Sequence, residues 1–296
     1  MTSFSRRNFL KTGLAATVVA GTSAGSLPAQ AKQQAATEVV TLGKSGVQVT
    51  RLAFGTGTLA GQVQRELGQD GFNRLTMYAY DRGIRFFETA ESYPNMHEML
   101  AVALKGVPRD SYRLMTKVTT RPGVDPQQKI DELRKLANTE YFDVMLLHFQ
   151  HTPTWPQDTV KWQDAISEAQ EKKIVIGRGA SVHGLPALRQ FPQTDWLQIA
   201  MIRMNQKGVK MDAEDFGTSG LGDVNQVVDY VHQVKARGLG VISMKLVGEG
   251  RFTNREDRQA AMRFAFRTAH VDAVTVGYKS PAEVDEAMEN INLAFA

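Results

Sequence analysis

Short apolar runs alternate with amphipathic stretches over most of the chain. The runs at 52–55, 84–88, 114–117, 144–148, 173–177, 197–201, 239–244 and 271–276 are too short for buried helices. They are also continuously apolar rather than alternating, which predicts strands covered on both faces, as in parallel sheets. Between them, 71–81, 96–105, 126–136, 159–171, 225–237, 255–268 and 281–293 carry helical spacing. In 225–237, for example, Val227, Val228, Val231 and Val234 share one face. A helix between the fifth and sixth strands is poorly marked, around 185–189. The glycine-rich stretch 205–223 has no clear period and reads as a long loop on the catalytic face. Ahead of the first unit, 39–42 and 47–51 flank Gly43-Lys44-Ser45-Gly46, a hairpin with a four-residue turn.

Eight strand–helix units in about 260 residues are the expected size of one α/β domain, a (β/α)8 TIM barrel with an N-terminal β-hairpin. A doubly wound open sheet is the competing architecture. It is weakened because Gly55-Thr56-Gly57 lacks the third glycine of the dinucleotide fingerprint.

The first 31 residues do not belong to this pattern. Ser5-Arg6-Arg7-Asn8-Phe9-Leu10-Lys11 precedes a short, weakly apolar run at 13–20, and Ala29-Gln30-Ala31 supplies small residues suited to cleavage. The arginine pair resembles the twin-arginine export motif. The reading is a signal peptide over 1–31, a linker over 32–37 and the barrel over 38–296. It implies an exported, periplasmic location, with the twin-arginine machinery as a partner. That route carries folded proteins, so a cofactor loaded inside the cell would travel with the chain.

Charge and composition narrow the chemistry. The formal net charge is +4, and three of those positive charges lie in the leader at Arg6, Arg7 and Lys11. The remaining balance is too small for a nucleic-acid surface. No apolar span approaches the roughly 20 residues of a membrane helix, so no stable membrane anchoring is expected. There are no cysteines, which excludes disulfides, thiolate metal sites and cysteine nucleophiles. The histidines at 97, 148, 151, 183, 232 and 270 are dispersed, apart from His148 and His151, which disfavours a metal-dependent hydrolase.

Three successive strands end in an ionisable residue: Glu88, Lys117 and His148. Tyr93 follows the first of them by five positions. In a parallel barrel the carboxyl ends of the strands face one pocket. A tyrosine has a reference pKa near 10, so it needs a stabilising cation to act as an acid at neutral pH. A lysine supplies that charge, a carboxylate holds the lysine, and a histidine orients a carbonyl oxygen. Such a set protonates an oxygen on which negative charge develops, as hydride delivery to a carbonyl demands. Each residue alone is as well explained as a structural one.

The stretch from Leu42 to Gly57 resembles the opening of the aldo-keto reductase family. Gly83-Ile84-Arg85-Phe86-Phe87-Glu88-Thr89-Ala90-Glu91-Ser92-Tyr93 is similar to its second-strand motif. The segments Gly179–Gly184, Gly240–Lys245 and Gly277–Pro281 resemble its later strand ends. The resemblance implies a general acid at Tyr93, supported by Lys117, with His148 orienting the substrate carbonyl. Glu88 stands where the family keeps an aspartate, and Pro94 where it keeps a glycine. The extra methylene moves the carboxylate by about 1.5 Å, on the scale at which positioning matters.

A nicotinamide cofactor, NADP or NAD, is implied at the barrel mouth. Thr56, Ser181, Gln198, Lys245, Gly248, Lys279 and Ser280 match positions that would hold it. Glu283 would repel a 2′-phosphate and leaves the choice between the two cofactors open. The family's pocket-closing tail has no counterpart after the last helix. Substrate shape is therefore expected from the loops after Tyr93, after His148 and over 203–223. The alternative function is a catalytically weak barrel that keeps the cofactor as a bound ligand for binding or sensing.

Overall fold

The computed structural model describes residues 35–215 and 221–296. The proposed leader lies outside the described residues. The described end of the 32–37 segment is a 3-10 turn, Ala35–Thr37. Its Ala36 is buried, and the Ala36 N–H donates to Asn292 Oδ1 at 3.2 Å.

Eight parallel strands close into a barrel: β3 (Leu52–Gly55), β4 (Phe86–Glu88), β5 (Arg113–Thr119), β6 (Phe142–Gln150), β7 (Val175–Val182), β8 (Ile199–Arg203), β9 (Gly240–Met244) and β10 (Ala273–Gly277). Each pairs with its chain neighbours, and β10 closes the ring against β3. The strands are covered on both faces, which explains their unbroken apolar runs. Phe86 turns into the barrel with Ala53, Met115, Val144 and Ile242. Phe87, the next residue, packs outward with Phe54 and Leu114 under the helices. Period-two alternation thus sorts two adjacent phenylalanines into two cores.

The hairpin β1 (Val39–Thr41) and β2 (Gln48–Thr50) pairs in antiparallel register and plugs the amino-terminal end of the barrel. Contact there is so close that a Cβ on Gly240 would fall 2.5 Å from the Leu42 carbonyl carbon. Only glycine fits at that crossing.

The helices that follow strands in the outer layer are α2 (Gly68–Asp81), α3 (Met96–Ala103), α4 (Pro126–Leu136), α6 (Val160–Glu171), α8 (Val224–Ala236), α9 (Arg255–Arg267) and α10 (Pro281–Phe295). Four start at side-chain caps: Asp125 on Gln128 N, Asp223 on Gln226 N, Asn254 on Asp257 N and Ser280 on Glu283 N. Short helices α1 (Gln62–Arg65), α5 (Trp155–Asp158) and α7 (Leu185–Leu188) sit in the loops.

The fifth barrel strand differs from the sequence expectation of 173–177. It begins at Val175 and runs to Val182, through Gly177-Arg178-Gly179. A Cβ on Gly179 would stand 1.8 Å from the Ile199 carbonyl oxygen. The glycines that hid the strand in the sequence are what let β8 approach it. Among its described residues, 204–215 and 221–223, the stretch before α8 carries neither helix nor strand.

Candidate active site

Glu88 closes β4 and is buried, which makes a counter-charge necessary. Lys117, two residues before the end of β5 and fully buried, supplies it: its Nζ contacts Glu88 Oε1 and donates to Thr89 O at 2.9 Å. Thr275 on β10 donates to Glu88 Oε2 at 3.2 Å. The longer side chain at 88 therefore reaches both partners. Lys117 Nζ stands 5.0 Å from the centre of the Tyr93 ring. The His148 ring lies edge-on to Tyr93, with centroids 5.7 Å apart and planes at 87°. Its Nδ1 is hydrogen-bonded to Ser92 Oγ at 3.1 Å. Tyr93, Lys117, His148 and Glu88, drawn from three strands and one loop, meet at one end of the barrel.

Burial dominates the electrostatics of this group. It drives the Lys117 ammonium well below the usual lysine range, with Lys245 adding repulsion. Burial, then Lys117 and Lys245, also hold His148 far below its ordinary value, so its ring is neutral at physiological pH. The Tyr93 phenol is pushed up by burial and by the Glu249 carboxylate. That direction is opposite to the acidifying pull expected from Lys117.

A cavity of about 530 Å³ opens beside these residues, from Glu88 and Tyr93 to the first turns of α10. Such a volume is typical of small-molecule sites. Gly57 lies against Tyr93: a Cβ there would stand 2.6 Å from the phenol oxygen, so the bare backbone makes room for the ring. Among the described residues three cations line the cavity, Lys245, Arg258 and Lys279, and each has a carboxylate at hand. Lys245 contacts Glu249, Arg258 holds Glu286, and Lys279 Nζ is 3.8 Å from Glu283. The buried Tyr278 hydroxyl and Asn290 Oδ1, both on lining residues, have no hydrogen-bond partner among the described residues. An elongated anionic ligand with polar groups along its length fits these features. Lys245, Arg258, Lys279 and the backbone around Gly248 would hold a dinucleotide's phosphates.

The other cofactor candidates divide. Ser280 caps α10, and the Glu283 carboxylate accepts from Lys279 N, one residue before the cap, at 2.8 Å. Thr56 turns away from the cavity: its hydroxyl donates to Glu88 O and ties β3 to β4. Ser181 reaches the right end of β7, but its Oγ accepts from Phe149 N at 3.0 Å. Gln198 does not reach the site. It precedes β8 at the amino-terminal end of the barrel, where its Oε1 accepts from Gln170 Nε2 and Arg178 N. The sequence placed it one strand-length too far along, because the strand starts after it. Reasoning from sequence also missed Thr275, Arg258 and Glu249. No local motif marks them, since each lies on a different element from its partner or in a turn. Among the described residues no group of three or more His, Asp or Glu side chains is placed to hold a metal.

Comparison with known proteins gives the same architecture. The model of the aldo/keto reductase family matches residues 51–291. A Glycine max protein named probable aldo-keto reductase 1 is 30% identical over 186 residues, 55% of this chain and 52% of the relative, so the match spans about half of each. A solved Pseudomonas aeruginosa structure given the same family assignment has a TM-score of 0.70 at 17% identity, covering 90% of this chain and 99% of the other. The holo form of an aldo-keto reductase from Bacillus halodurans has a TM-score of 0.67 at 18% identity, covering 86% and 90%. At such identities the structural likeness speaks to the fold alone.

Proposed function

Because the chain belongs to the aldo/keto reductase family, whose members generally carry out NAD(P)H-dependent oxidoreduction of carbonyls, we propose that Tyr93 is the proton donor of such a reaction here. The observation that supports this reading is the meeting of Tyr93, Lys117 and His148 beside a cation-lined cavity. When bound, the nicotinamide supplies the hydride.

The chain's own residues do the rest. Neutral His148 donates to the carbonyl oxygen and fixes its position near the Tyr93 hydroxyl. As negative charge builds on that oxygen, Tyr93 gives up its proton, and Lys117 stabilises the phenolate left behind. Glu88 and the Thr89 carbonyl hold the lysine head in place. The reverse direction uses the same groups in the opposite sense.

The reading extends to the cofactor. Glu283 and Glu286 stand at the α10 end of the cavity, with the Glu283 carboxylate accepting from Lys279 N. A third phosphate entering there meets carboxylates, so NAD(H) is favoured over NADP(H). Export through the twin-arginine route, directed by residues 1–31, completes the proposal.

Titrating the mature protein with NADH and NADPH, followed by nicotinamide fluorescence and an aldehyde panel, tests it. NADH should bind more tightly, and Tyr93→Phe should abolish turnover while leaving cofactor affinity nearly unchanged. Unchanged turnover in that variant overturns the assignment of the acid. Binding without turnover by the wild type points instead to a protein that keeps its cofactor as a bound ligand.

A further inference from the structure

The turn after β9 combines strain with charge. Lys245 has a φ of 61°, and Gly248, Glu249 and Gly250 follow with φ of 60°, 55° and 85°. Glycine adopts this left-handed region freely, but a glutamate there is strained and must be held by its surroundings. Glu249 is held through its carboxylate: it contacts Lys245 Nζ and lies 3.9 Å from Lys210 Nζ. Lys245 and Glu249 both line the cavity beside Tyr93, and the Glu249 side chain is only 18% exposed. Glu249 also acts on the Tyr93 phenol, and Lys245 on Lys117 and His148. The pair thus stands on the wall of the cavity that Tyr93 also lines, at a cation suited to a phosphate.

An anion entering the cavity finds that cation already taken. We propose that Glu249 is a built-in competitor for the cofactor's phosphates: its carboxylate satisfies Lys245 in the empty site and is displaced when the cofactor binds. Gly250 lets the turn move on that side as the carboxylate leaves, because it has no atom within 4 Å of the position a Cβ would take. Glu249 then sets cofactor affinity without touching the transferred hydride. The inference rests on the nicotinamide reading of this cavity, and two probes separate the fates of the two ideas.

The test compares the wild type, Glu249→Gln, Lys245→Ala and the double variant, each checked for unchanged thermal unfolding. The ligands are NADH, by fluorescence titration, and inorganic pyrophosphate, by calorimetry. Glu249→Gln keeps the shape and removes the charge, so both ligands should bind about two- to fivefold more tightly, the range expected on freeing a partly exposed cation. In the Lys245→Ala background the same substitution should change affinity by less than twofold. Equal or weaker binding of both ligands by Glu249→Gln overturns the inference, as does an equal gain without Lys245. Tighter pyrophosphate binding with no NADH binding by any variant supports the competitor role and refutes the nicotinamide reading.

Discussion

Replacing Gly57 by alanine should disable the site through a residue that takes no part in the chemistry. Gly57 is not in the left-handed region, so its backbone accepts alanine without strain. The added Cβ would stand 2.6 Å from both Cζ and the hydroxyl oxygen of Tyr93, whereas ordinary contact starts at 3.4 Å. The ring must therefore retreat by roughly 0.8 Å from Gly57, out of its present place in the cavity that both residues line. A misplacement of about 1 Å in a reacting group can cost on the order of 10²-fold in rate. The expected outcome is a loss of about that size in kcat, with NADH affinity changed by less than about threefold. The assay is steady-state reduction of an aldehyde at saturating NADH, together with a fluorescence titration. Because the alanine acts through Tyr93, its effect should not multiply with that of Tyr93→Phe. A Gly57→Ala enzyme with wild-type kcat, or two losses that multiply fully, refutes the reasoning.

Glu88→Gln leaves the buried Lys117 without its counter-charge, and denaturant unfolding at pH 7 should show a loss of about 3 kcal/mol; an unchanged midpoint means the pair contributes nothing net. His97 is buried and bonded to Thr116 Oγ1, and burial lowers its pKa from 6.5 to about 4 against the opposing pull of Glu91. Its folded value is the depressed one, so its contribution is complete above pH 6.5 and fades as pH falls towards 4. Stability should drop by about 2 kcal/mol between pH 7 and 5 from this residue, and His97→Gln should flatten that part of the profile. In the proposed leader, Arg6→Lys with Arg7→Lys should strand the chain in the cytoplasm, as fractionation of expressing cells would show; efficient export of the double variant contradicts the twin-arginine reading.

Much of this protein is written locally. Apolar runs such as Phe86-Phe87 become strands because backbone groups buried on both faces must pair with neighbours. The caps Asp125, Asp223 and Ser280 mark helix starts because their side chains satisfy donors two or three residues on. The order of Glu88, Tyr93, Lys117 and His148 along alternating units likewise placed all four at one end of a barrel, since parallel strands all point the same way. What the chain could not show locally is register and partnership. β8 runs over Ile199–Arg203, two residues later than the apolar run at 197–201, which leaves Gln198 ahead of the strand at the far end, and such a shift is invisible to hydropathy. The bond from Thr275 to Glu88 spans 187 positions. Glu286 came to neutralise Arg258, 28 positions away, only once α9 and α10 were packed together. Local periodicity reports which face of an element is buried; only closure of the barrel sets which charges end up within a few ångströms of one another.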